Sequence, residues 1–145
     1  MIMRYVVSIV ALILALWAGD AHATNCGTGS GTCYQLTGNW NASGTWSNSD
    51  GGASCACTPA TGDSVYITAS SGNGTINANI SLTQLDANGF TGTLTHNAST
   101  TVTITGNSGT APSGHAFRLA SGMTYTTSST SQITFAGTSG TTNVT

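Results

Sequence analysis

Short threonine-rich segments, in which aliphatic and hydroxyl residues alternate, constrain this chain more than any other feature. Thr101-Val102-Thr103-Ile104-Thr105 alternates strictly, and Ser64-Val65-Tyr66-Ile67-Thr68 places Val65 and Ile67 on one face. A period of two belongs to the pleated strand, and the β-branch of threonine favours strand over helix. Thr75-Ile76-Asn77, Ile80-Ser81-Leu82-Thr83-Gln84-Leu85, Gly92-Thr93-Leu94-Thr95, Ala116-Phe117-Arg118-Leu119 and Gln132-Ile133-Thr134-Phe135 continue the pattern. Gly, Asn and Ser clusters such as Ser70-Ser71-Gly72-Asn73-Gly74 and Gly106-Asn107-Ser108-Gly109 separate them. Short strands bounded by turn clusters predict an all-β protein.

Two architectures compete for these strands. A β-sandwich needs tight hairpins, and Asn88-Gly89 is the one good two-residue hairpin turn. A parallel β-helix, or solenoid, needs comparable strands about once per coil of ~20 residues. Val65/Ile67, Leu82/Leu85 and Val102/Ile104 recur at about that interval, while Ile133/Phe135 comes later and needs a longer loop, Gly106–Ser113. The spacing favours the β-helix over the sandwich.

Ahead of the strands lie two other regions. Arg4, an apolar run from Tyr5 to Ala18 and the small-x-small site Ala21-His22-Ala23 have the order of a secretory signal peptide, residues 1–23. The run is shorter than the ~20 residues of a spanning helix, so no membrane span is expected after cleavage. Residues 24–62 then read as a loop-rich cap holding Cys26, Cys33, Cys55 and Cys57 together with Trp40 and Trp46, and residues 63–145 as the strand repeats.

Four cysteines behind a signal peptide predict disulfides in an oxidising compartment, hence a secreted or cell-surface location. Bonds tying the Cys26–Cys33 segment to the Cys55–Cys57 segment are favoured, because a Cys55–Cys57 bond closes a very small ring. The spacings are not those of a zinc knuckle, and neither metal nor cofactor is expected. The tryptophans are expected to fill the core of the cap. The alternative is that Trp40, Trp46 or Tyr66 stacks on a sugar ring.

Charge excludes several functions. After residue 23 the only basic residue is Arg118, against Asp50, Asp63 and Asp86, and the chain has no lysine or glutamate. Binding to nucleic-acid phosphates or to anionic lipid needs a basic patch that these residues cannot build. Acid–base catalysis needs carboxylates placed together or beside a base. Asp63 and Asp86 instead sit at turns, where an aspartate bonds its own backbone. No catalytic residue is assigned, and the chain is not expected to be an enzyme.

Gly38-Asn39-Trp40 and Thr45-Trp46-Ser47, followed by Thr58-Pro59-Ala60-Thr61-Gly62-Asp63-Ser64-Val65-Tyr66-Ile67, carry a resemblance. So do Leu85-Asp86-Ala87-Asn88-Gly89-Phe90-Thr91-Gly92-Thr93-Leu94 and Ile133-Thr134-Phe135-Ala136-Gly137-Thr138-Ser139-Gly140. Together they resemble the Thr/Ser/Gly-rich secreted or phage-associated right-handed parallel β-helix proteins, adhesin-like or tail-fibre-like, with a Trp-rich N-terminal cap. The resemblance implies a structural or adhesive role and brings no catalytic residues. The expectation is therefore an extracellular structural or adhesive protein whose partner is itself, through β-edges, or a surface polysaccharide. A carbohydrate-binding module is the alternative, and a polysaccharide-degrading β-helix enzyme comes third.

Overall fold

The computed structural model describes residues 25–107 and 109–137. The signal-peptide assignment, residues 1–23, lies outside the described residues. Twelve short strands follow one another: β1 (Thr32–Gln35), β2 (Gly38–Asn39), β3 (Trp46–Ser47), β4 (Ser64–Tyr66), β5 (Gly74–Ile76), β6 (Ile80–Leu82), β7 (Gln84–Asp86), β8 (Thr93–His96), β9 (Thr101–Ile104), β10 (Phe117–Arg118), β11 (Thr124–Thr127) and β12 (Gln132–Phe135). A single 3-10 turn, Ser43–Thr45, precedes β3. The all-β expectation holds.

The arrangement of the strands corrects the expected single solenoid. They divide among three sheets, ordered β10-β7-β4-β1-β3, β11-β8-β5-β2 and β12-β9-β6. The first is mixed: β1 runs antiparallel to β3, pairing Tyr34 with Ser47 and Gln35 with Trp46, and parallel to β4. The hairpin-built sandwich does not arise either, because every other strand pair is parallel. Asn88-Gly89 turns the chain from β7 in the first sheet to β8 in the second, so it joins sheets and makes no hairpin.

The physical reason is visible at Thr83. Ile80–Leu85 reads as one strand, yet the chain breaks there into β6 of the third sheet and β7 of the first. The Thr83 backbone N–H donates to Asp63 O at 2.9 Å, and its hydroxyl donates to Gly62 O at 2.7 Å. The backbone N–H that a continuous strand would spend on one ladder is thus held by the turn just before β4, and the hydroxyl adds a second tie to it. Gly62 itself has φ of +94°, and a Cβ there would overlap the Gly29 carbonyl, so only glycine fits.

Residues expected to be loop also pair. β1 and β3 lie in the first sheet and β2 in the second, so residues 32–47 share sheets with later strands. The inward face runs through Cys33, Val65, Leu85 and Phe117, which stand in register across β1, β4, β7 and β10. Val65, Ile67, Leu82, Leu85, Val102 and Ile104, the residues of the recurring pairs, are fully buried. Each such side chain contributes about 1.5–3 kcal/mol by leaving water. The fourth pair departs from this: Ile133 is only partly buried, and Phe135 leaves 44% of its surface exposed.

Candidate functional site

The indoles are core. Trp40 and Trp46 retain 3% and 0% of their surface and meet edge to face, ring centres 5.3 Å apart. Trp46 Nε1 donates to Trp40 O at 2.9 Å, and Trp40 Nε1 donates to Gln35 Oε1 at 2.8 Å. Gln35 in turn donates from Nε2 to Gly72 O at 2.8 Å. Each buried N–H therefore has an acceptor, and neither ring face is open to a sugar.

Tyr66 is half-buried and belongs to a different constellation. Tyr34, Tyr66, Asp86 and Arg118 stand side by side on β1, β4, β7 and β10 of the first sheet. The two tyrosine rings stack at 5.4 Å and 25°. Burial pushes the Tyr66 hydroxyl above its ordinary value of 10.0, while its bond with Gln84 pulls the other way. At the far end Arg118 grips Asp86 with two bonds, Nε to Oδ1 at 2.6 Å and Nη2 to Oδ2 at 2.7 Å. Asp86 is 1% exposed and the Arg118 side chain 24%. The expectation that Asp86 merely shapes its turn is thereby corrected; its partner lies 32 residues on.

Asp63 does more than form its turn. Its carboxylate accepts from Ala60 N at 2.9 Å, three residues back, but also from Gly27 N and Gly31 N, each at 2.7 Å. It is completely buried and ties the Cys26–Cys33 loop to the start of β4. Asp50 accepts from the Thr68 hydroxyl in an exposed bond. Each of the three described carboxylates thus holds structure together.

All four cysteines are oxidised, as expected, but the favoured pairing is corrected. Cys26 bonds Cys33 and Cys55 bonds Cys57. Asp63 explains the first pair: by gathering Gly27 and Gly31 it closes the loop that brings Cys26 back to Cys33. The Cys26, Cys55 and Cys57 sulfurs nevertheless lie within 4.8 Å of one another, so the two segments touch without a bond between them. Cys26, Cys33 and Asp63 make a second such group, and as disulfides none of these sulfurs offers a thiolate to a metal.

One constellation had no signal in the sequence. His96, buried in β8, lies with Nδ1 2.6 Å from Tyr125 Oη in β11 and Nε2 3.1 Å from Thr100 O. A neutral ring satisfies both: Nε2–H donates to the carbonyl and Nδ1 accepts from the tyrosine. Burial lowers the His96 pKa below 6.5, partly opposed by Thr100, and burial pushes Tyr125 up to about 12.

The chain matches no family model, and no curated protein or solved structure matches it. Two disulfides are compatible with an extracellular location. Among the described residues no helix is long and apolar enough to cross a membrane.

Proposed function

We propose that this is a secreted structural or adhesive surface protein that pairs with a second copy of itself through the edges of β10, β11 and β12. The observation that carries this reading is the difference between the two ends of the sheets. At one end lie the buried indole pair, the antiparallel β3 and the Cys26–Cys33 loop. At the other, β10, β11 and β12 end the three sheets with no disulfide or buried indole beside them among the described residues. There Phe135 is exposed, and Leu119, Met123, Tyr125 and Ile133 are only partly buried. An open strand edge beside apolar side chains is a template for another chain.

A contact between two such ends is isologous and closes after two copies. With the indole end covered, dimers are expected before fibres. Secretion is supported by the signal-like residues 1–23 and by the disulfides. The carbohydrate-binding reading is weakened by burial of both indoles and by the use of Tyr34 and Tyr66 faces in stacking on each other. No reaction is proposed.

Light scattering on the oxidised, signal-cleaved protein tests the reading. A dimer that Phe135→Lys converts to monomer supports it. A wild-type monomer at all accessible concentrations overturns the self-pairing.

A further inference from the structure

The outward face of the second sheet carries an ordered array of hydroxyl groups. Asn39, Thr75, Thr95 and Thr126 stand in one row across β2, β5, β8 and β11. Thr93 and Thr124 stand in register beside them, two residues along β8 and β11. The side chains that alternate with them, Ile76, Leu94 and His96, are buried, so the threonines point away from the core. Thr124 and Thr126 are exposed, and Thr75, Thr93 and Thr95 are half-buried.

None of the five threonine hydroxyls bonds to another described residue. This sets them apart from Thr83, Thr100 and Thr105, whose hydroxyls are spent on backbone carbonyls. The array is also regular, because register pairing fixes it: about 4.8 Å between neighbouring strands and about 6.6 Å between alternate residues of one strand. No charged residue stands in β2, β5, β8 or β11. A charged group holds its own hydration shell and would disrupt an ordered water layer, whereas a threonine offers one hydroxyl and one methyl group.

From this we infer that the Thr75/Thr93/Thr95/Thr124/Thr126 face binds the surface of crystalline ice. The ligand is a lattice of water oxygens whose rows repeat at spacings similar to those of the array, and it is uncharged like the face. Each hydroxyl would take the place of a lattice water, and the methyl groups would exclude mobile water between them. The threonines of the third sheet form a poorer match. There the outward rows are Ser81, Thr103 and Thr134 and, beside them, Thr101 and Gln132, so serine and glutamine interrupt the threonine array. The inference is independent of self-pairing, since a single chain carries the whole array.

Slow growth of an ice front through a dilute solution of the oxidised protein provides the test. Wild-type protein is expected several-fold enriched in the ice fraction relative to an unrelated globular protein. Thr95→Lys, at the centre of the array, is expected to abolish the enrichment while melting temperature and near-ultraviolet spectrum stay unchanged. Thr103→Lys, on the third sheet, is expected to keep it. Exclusion of the wild-type protein from ice overturns the inference, and so does equal enrichment of wild type and Thr95→Lys. Equal loss in both variants overturns the assignment to this face. Retention on crystalline cellulose without enrichment in ice would overturn ice as the ligand.

Discussion

Tyr125 Oη sits 2.6 Å from His96 Nδ1, joining the last strand of the second sheet to the strand beneath it. Because Nε2 is occupied by the Thr100 carbonyl, the tyrosine is the donor and the imidazole stays neutral. Burial lowers the folded pKa of His96 below its ordinary 6.5. Below that pH the unfolded chain binds a proton that the folded chain refuses. Stability is therefore full above about pH 6.5 and falls as pH drops toward the lowered folded value. Urea midpoints measured from pH 8 to pH 4 should decline across this window, and His96→Asn should flatten the decline.

At the alkaline end the same pair gives the opposite slope. Tyr125 is pushed up to about 12 by burial, whereas in the unfolded chain it ionises near 10.0. Its contribution is constant below pH 10 and is lost as pH rises between these values. Tyr125→Phe should remove that alkaline loss and leave His96 Nδ1 without a donor, lowering stability at neutral pH by about 1–2 kcal/mol.

Asp63 is expected to be the most sensitive polar position. Three backbone N–H groups, those of Gly27, Gly31 and Ala60, converge on it in a buried site. Asp63→Asn sets an amide N–H₂ against one of these donors and should cost about 2 kcal/mol. Asp63→Ala orphans all three and should cost more, about 3 kcal/mol or beyond. Equilibrium unfolding in urea reads both.

The Asp86–Arg118 pair should respond asymmetrically. Arg118→Ala leaves a carboxylate that is 1% exposed without its cation and should cost about 3 kcal/mol. Asp86→Asn combined with Arg118→Gln removes both charges and should cost less than Arg118→Ala alone. A double-mutant cycle by thermal melting distinguishes this from simple loss of packing.

The two disulfides should contribute unequally. Cys26–Cys33 spans a sequence separation of 7 and Cys55–Cys57 one of 2. Loop-closure entropy then gives about 2 kcal/mol for the first and about 1 kcal/mol for the second. Replacing each pair by alanine and comparing melting temperatures tests the order. Peptide mapping without reductant tests the pairing itself.

Alternation made much of the core legible. Val65, Ile67, Leu82, Leu85, Val102 and Ile104 are buried where the period of two places them. The assignment of Trp40 and Trp46 to a small core followed from their size. What was not legible depended on partners distant in the chain. The break at Thr83 is chosen by Gly62 and Asp63, and Asp86 looks like a turn residue until Arg118 lies beside it. The strand Thr124–Thr127 lacks aliphatic residues, and Tyr125 finds its place only because His96 waits below it. The cysteine pairing turned on the Asp63 cradle, which spacing alone does not reveal.

The register of the sheets also bears on the order in which the chain assembles. Ser64 pairs with Gln84, Ile80 with Val102 and Thr93 with Thr124, so each strand docks on one made a few tens of residues earlier. No paired strand among the described residues has to wait for the last part of the chain before it finds a neighbour. Under the secretion proposed above, a chain threaded outward N-terminus first would set its indole pair, close the Cys26–Cys33 loop and then add strands as they emerged. Folding would keep pace with translocation, leaving open only the newest strand of each of the three sheets.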